Sequence, residues 1–220
     1  MDEFFKAITD GDFDHFHSLL ARDPSLANAT NEQGVSAMLL TVYYQRHSFT
    51  RDLIEAKAAV GLFESAALGD TARLIELTSI DPQAVNRFSP DGFQPLGLAA
   101  FFGHTEAALY LIEHGADPNS PSHNDQKVTP LHSAAASNSV RIASALIGGG
   151  ADVNAKQQGG YTPLHAAVQN GTIEMVQLLI RHGANCMARN DAGRTPREVL
   201  NRKNVKEVDM LLAACAENDA

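Results

Sequence analysis

A short segment recurs along this chain at an almost constant interval, and this repetition restricts the possible folds more than any other feature of the sequence. Four prolines, each at the start of a similar segment, are spaced at steps of 35, 33 and 33 residues: Pro95, Pro130, Pro163 and Pro196. A Gly-Ala step lies 20 residues after each of the first three, beginning at Gly115, Gly150 and Gly183. Self-similarity with a period of about 20 to 50 residues is typical of stacked repeat units rather than of one irregular core.

The residues within one period predict two helices and a turn. Thr129 and Thr162 are suited to cap a helix N-terminus with a hydroxyl, and the proline that follows each of them fits the first helical position. The glycine of each Gly-Ala step suits the left-handed conformation at a helix end. Ile173, Val176 and Leu179 form an apolar stripe at helical spacing. Since neither helix can bury its stripe alone, we expect the units to stack.

Residues 162–167 read Thr-Pro-Leu-His-Ala-Ala, and Gly171, a Leu-Leu pair at 178–179 and a Gly-Ala step at 183–184 follow in order. This series resembles an ankyrin repeat, most clearly over residues 91–196. The resemblance implies an all-α fold, an ankyrin-repeat α-solenoid in which helix-turn-helix units are joined by short β-hairpin fingers.

Weaker copies of the motif extend the register to the N-terminus, so we expect about seven repeats in a single domain spanning residues 1–220. The expected units are 1–30, 31–58, 59–90, 91–125, 126–158, 159–191 and 192–220. The second unit is too short for a finger before the third. An insertion at residues 120–126 should lengthen the finger between units four and five.

Composition argues against several classes of function. The net charge is −9, with 17 basic and 26 acidic side chains, whereas nucleic-acid binding requires a basic face. No segment approaches the roughly 20 apolar residues of a membrane span, and no secretory signal is visible. We therefore expect a cytoplasmic protein with neither a nucleic-acid nor a membrane partner. Two cysteines provide neither a disulfide framework nor a zinc pattern, and Cys186 is interpreted as a thiol with no visible partner.

The histidines and glycines that invite a chemical role are explained by the repeat. His132 and His165 share one repeat position, where the resemblance implies hydrogen bonds within the helix-turn. His114 and His182 share another, at a helix C-terminus that suits a cation. The glycines at 148–150 lack the Lys-Ser/Thr of a phosphate-binding loop. Because no triad, metal set or cofactor loop can be assembled, we expect no enzymatic activity, no metal and no cofactor.

The resemblance also places a partner surface on the concave face, at the finger tips and at two positions near the end of each first helix. In this register the predicted partner-binding residues are Tyr43, Tyr44, Leu68, Phe93, Phe101, Phe102, Tyr161, Arg194, Arg202 and Lys203. Exposed aromatic patches usually mark an interface. Two alternatives stay open: one aromatic of each pair packs inward, and the basic residues form a solvated terminal cap.

These observations predict a non-enzymatic module that binds a protein partner on its concave face. The alternative is self-association, in which the aromatic band is buried in a homodimer. We expect a monomer, and the sequence does not identify the partner.

Overall fold

The computed structural model describes residues 2–170, 172–200 and 205–218. These residues form thirteen α-helices and four 3-10 helices, and their only strand pairing is an isolated antiparallel bridge between Thr30 and Ser36. The α-helices are α1 (Asp2–Asp10), α2 (Phe13–Arg22), α3 (Ala37–Tyr43), α4 (His47–Glu55), α5 (Leu62–Leu68), α6 (Thr71–Ile80), α7 (Pro95–Phe101), α8 (Thr105–Glu113), α9 (Pro130–Ala136), α10 (Val140–Gly148), α11 (Pro163–Asn170), α12 (Ile173–Arg181) and α13 (Val205–Asn218). The 3-10 helices are Pro24–Asn28, Pro82–Asn86, Gln158–Gly160 and Arg197–Val199.

The helices pack as consecutive pairs in two layers. The first helices of the pairs, among them α5, α7, α9 and α11, contact one another in one layer, and α6, α8, α10 and α12 do so in the other. Pro95 and Pro130 open α7 and α9 as predicted, and Ala99 and Ala134 within these helices are fully buried. Small side chains at these positions let neighbouring helices approach closely, so the prediction of an all-helical solenoid is confirmed.

The threonines that precede the prolines act differently from the prediction. The hydroxyl of Thr129 makes no helix-capping hydrogen bond and lies 2.8 Å from Nδ1 of His132. His132 Nε2 lies 3.0 Å from the carbonyl of Tyr161 in the next unit. Since a carbonyl only accepts, Nε2 carries the proton and Nδ1 accepts from the hydroxyl. Thr162 and His165 repeat this arrangement, which confirms the expected hydrogen bond within the helix-turn.

Three asparagines link consecutive units. The side-chain oxygen of Asn119 accepts the N–H of Asp152 at 2.7 Å, and its amide donates to the carbonyl of Gly150 at 2.8 Å. Asn86 and Asn154 make the equivalent pairs of hydrogen bonds with their following units. Each asparagine thereby satisfies a carbonyl left without a partner at a helix end.

The hydrophobic core divides near the short second unit. One cluster contains Phe4, Phe16 and Phe49, and a larger cluster extends from Val35 to Leu212. Residues 56–61 lead directly from α4 to α5, as the shortness of this unit predicted. The contact between α4 and α6 is less extensive than the contacts between the other neighbouring second helices. The N-terminal helices therefore form a core of their own.

Tight turns connect the later units where fingers were expected. The N–H of Gln157 donates to the carbonyl of Tyr161 at 2.9 Å, whereas the corresponding bond from Ser122 to Val128 spans two more residues, at 2.8 Å. The insertion at residues 120–126 therefore lengthens this turn. The extension of these turns into β-hairpin fingers stays a prediction.

The two cysteines form a disulfide, so the interpretation of Cys186 as a thiol without a partner is wrong. Cys186 lies in the turn after α12, and its Cα is 6.1 Å from that of Cys215 in α13. The two residues are 29 positions apart and meet because α13 packs back on α12, burying Val208 and Leu212 in the larger core. Neither residue count nor spacing could reveal this contact.

Candidate partner-binding groove

A groove of about 590 Å³ runs along the layer of first helices and the adjoining turns. We call it the central groove. Its lining residues are Tyr43, Phe93, Gly97, Leu98, Phe101, Gln126, Val128, His132, Ser133, Ala136, Gln157, Ala166 and Gln169. Most of them stand three or six residues after the proline of their unit, or in a turn, so the repeat itself assembles the groove.

The structure separates the two members of each predicted aromatic pair. The hydroxyl of Tyr43 donates to the carboxylate of Asp91 at 2.6 Å, and its ring stacks on that of Phe102 with centroids 6.1 Å apart. Tyr44 and Phe101 instead expose 47% and 53% of their surface. Tyr43 and Phe102 are thus held by internal packing, while Tyr44 and Phe101 offer free aromatic surface.

The other predicted residues are distributed more widely. Phe93 is half-buried and lines the central groove, whereas half-buried Leu68 packs against the N-terminal core. Tyr161 is half-buried and its ring contacts that of His165 edge-on. Exposed Arg194 reaches the Tyr161 hydroxyl at 3.4 Å. The remaining two predicted residues, Arg202 and Lys203, lie outside the described residues.

Polar residues of the central groove were missed by the sequence-based selection. Gln126 and Gln157 lie in turns, and Ser133 lies in α9, three residues after Pro130. Gln169 lies six residues after Pro163, a position that the register does predict as part of the partner surface. Extending the register to the third residue after each proline would have found Ser133 as well.

The central groove carries no charged side chain among its lining residues. Burial lowers the pKa of His132 to about 4, which keeps its ring neutral at physiological pH. Burial, together with the hydrogen bond to Asp91, raises the pKa of Tyr43 above its ordinary value. The groove is therefore an apolar surface with a few neutral hydrogen-bonding groups.

Two arrangements are missing from the part of the chain that the structure describes: a cluster of metal-ligand side chains and a membrane-spanning helix. Those residues contain no group of three or more His, Cys, Asp or Glu side chains that could hold a metal ion. None of their helices combines the length and apolar character that crossing a membrane requires.

Comparison with known proteins identifies the repeat. No curated protein matches the chain. The family described as ankyrin repeats (3 copies) matches residues 62–157, 120–190 and 143–219. These overlapping matches include α7, α9 and α11, which form most of the central groove, and extend over more than half of the sequence. The protein therefore belongs to the ankyrin-repeat family.

Proposed function

We propose that this protein is a non-enzymatic module that binds a protein partner along the central groove. Ankyrin repeats generally serve as protein–protein interaction modules. The observation that carries the proposal is the combination of an uncharged groove with an aromatic side chain, Phe101, that is 53% exposed within it. A large exposed aromatic beside a concave apolar surface is typical of a binding site.

The exposed aromatics suit the role of anchors. Phe101 lines the groove from the end of α7, and Tyr44 follows the end of α3. Tyrosine and other aromatic side chains contribute strongly at protein interfaces because they bury a large area with few rotatable bonds. Tyr43 also lines the groove, and its contacts with Asp91 and Phe102 hold the ends of α3 and α7 in place.

We also propose the finer features that the resemblance to ankyrin repeats implies. These are seven repeat units, β-hairpin fingers at the turns, a concave face that includes the central groove, and a cytoplasmic location. Disulfides persist mainly in oxidising compartments, so the redox state of Cys186 and Cys215 in the cell bears directly on the proposed location.

Affinity capture with matched variants tests the binding surface. Phe101→Arg places a charge in the groove, while Ile80→Arg places the same charge on α6, where Ile80 is 84% exposed. We expect proteins retained by the wild-type chain and by Ile80→Arg to be lost from Phe101→Arg. Equal recovery on all three would refute the placement of the site. Tyr44→Ala provides a second, milder variant that leaves the packed aromatics untouched.

Self-association is the alternative use of the same aromatic surface. Light scattering on the purified chain over a range of concentrations separates the two functions. A constant monomer mass excludes the homodimer, whereas a dimer that dissociates on Phe101→Arg would replace the proposed heterologous partner.

A further inference from the structure

The central groove contains hydrogen-bonding groups that the protein itself does not use. The carboxamides of Gln126, Gln157 and Gln169 line it, and none of the three bonds to another residue in the parts of the chain that the structure describes. A carboxamide offers both a donor and an acceptor. The groove therefore presents three complete pairs of free donors and acceptors along an otherwise apolar surface.

Ser133 adds a hydroxyl to this set. The residue is 4% exposed and lines the groove, yet its hydroxyl has no partner among the described residues. Buried hydroxyls elsewhere bond to helix carbonyls, as Ser65 does with Gly61 at 2.7 Å and Thr41 with Met38 at 2.8 Å. The one fully buried side-chain atom without a partner among the described residues is Asn190 Nδ2, so the Ser133 hydroxyl is open to the groove and available to a ligand.

The charge of the groove restricts the chemistry of that ligand. A carboxylate, phosphate or ammonium group placed against these uncharged residues would lose hydration without gaining an opposite charge. Peptide main chain, in contrast, presents alternating N–H and C=O groups, which match free carboxamides. Apolar side chains suit the neighbouring surface of Leu98, Phe101 and Val128.

The dimensions of the groove favour an elongated ligand. It crosses from α7 over α9 to α11, and neighbouring helices pack about 8–10 Å apart, which makes this distance roughly 20 Å. An extended chain advances about 3.3 Å per residue, so about six residues span it. A compact ligand would use only part of this length.

We propose that the central groove binds an extended, uncharged peptide segment of about six residues. Its apolar side chains contact Phe101 and its neighbours, and its main chain is hydrogen-bonded by the three carboxamides and the Ser133 hydroxyl. This inference rests on the proposed function and adds the chemical class of the segment that the partner inserts.

A phage-displayed library of random 12-residue peptides, panned on the full-length chain, tests the ligand chemistry. We expect enriched peptides to share a core of about six residues that is rich in apolar side chains and free of Asp, Glu, Lys and Arg. A synthetic copy of the most enriched peptide is then measured by fluorescence anisotropy. N-methylation of one core amide should weaken its binding by about 2- to 12-fold, the range for one hydrogen bond.

Matched variants of the protein test the hydrogen-bonding groups. Ser133→Ala and Gln157→Ala should each weaken the same peptide by about 2- to 12-fold. Gln83→Ala should leave affinity unchanged, since Gln83 is exposed and does not line the groove. Circular dichroism of each variant verifies that the helical fold is retained.

The outcomes distinguish this inference from the proposed function. Enriched peptides with a charged core that lose binding on Phe101→Arg would overturn the ligand chemistry and leave the binding surface intact. Peptides that bind Phe101→Arg as tightly as the wild type would overturn both. Failure to enrich any peptide, or unchanged affinity in both Ser133→Ala and Gln157→Ala, also contradicts the inference.

Discussion

The disulfide between Cys186 and Cys215 yields a stability prediction whose size follows from chain length. The two residues are 29 positions apart, and closing a loop of this length removes unfolded-state entropy worth about 3.6 kcal/mol at 25 °C. The bond joins α13 to the turn after α12, so its loss acts first on the C-terminal end of the stack. Because repeat units contact only their neighbours, we expect the N-terminal core to keep its stability.

Urea unfolding with and without a phosphine reductant measures this contribution. For a slope of about 2–3 kcal/mol per molar urea, the midpoint of the C-terminal transition should fall by about 1–2 M on reduction. Cys215→Ala should behave like the reduced wild-type chain. A Cys186→Ala, Cys215→Ala double variant should not respond to the reductant, which separates loss of the bond from effects of the reductant itself.

Two results would refute the reasoning. Thiol titration of the protein, unfolded without reductant, should detect no free thiol, and finding two would show that the bond is absent. An intact bond whose reduction leaves the midpoint unchanged would show that α13 is held by other contacts. The strongest candidates for such contacts are buried Val208 and Leu212 and the paired hydrogen bonds from Arg197 to Asp209 at 2.6 and 2.9 Å.

Three further predictions concern stability. Lowering the pH from 7 to 5 should lower the free energy of unfolding by about 2 kcal/mol through His132, since its folded pKa of about 4 lies below the ordinary 6.5 and the unfolded chain takes up the proton first. Urea unfolding of the wild type and of His132→Asn at several pH values measures how the free energy of unfolding depends on pH. We expect a weaker dependence in the variant, and an equal dependence would contradict the prediction. Asn119→Ala should lower the free energy of unfolding by about 0.5–1.5 kcal/mol, because it removes the hydrogen bond from the exposed Asp152 N–H, and a loss in urea unfolding no larger than that of Gln83→Ala would argue against the inter-unit link. Phe16→Ala should lower the free energy of unfolding by about 3–5 kcal/mol. In hydrogen exchange, the amides of the N-terminal core should lose protection while those of α7 to α12 keep it. Uniform loss of protection would show that the two cores unfold together.

Many local features of the fold could be predicted because they depend on residues close together in the chain. Pro95 and Pro130 open helices, and Gly115 and Gly150 end them with φ values of 85° and 91°. Both effects arise from backbone sterics within one turn. The prediction that the Thr129 hydroxyl caps a helix was wrong, because this hydroxyl instead donates to the neighbouring ring of His132. The carbonyl of Tyr161 in the next unit determines the tautomer of that ring.

The candidate site was predicted in outline and not in detail. The register correctly indicated that Phe93 and Phe101 lie on one shared surface, since both line the central groove. It did not indicate which member of each aromatic pair is exposed. The hydroxyl of Tyr43 is bonded to Asp91, which lies 48 residues away, and no pattern within a single repeat contains that contact.

The sequence by itself therefore determined the repeat and the helix ends marked by Pro and Gly, because these follow from short-range geometry and residue type. Stacking of the units decided the rest. It brought Cys186 to Cys215, turned Tyr44 and Phe101 outward, and left the Ser133 hydroxyl and three carboxamides without partners among the described residues, beside an apolar surface. Exposure and pairing depend on what the neighbouring unit places opposite each side chain, and only the tertiary structure specifies that.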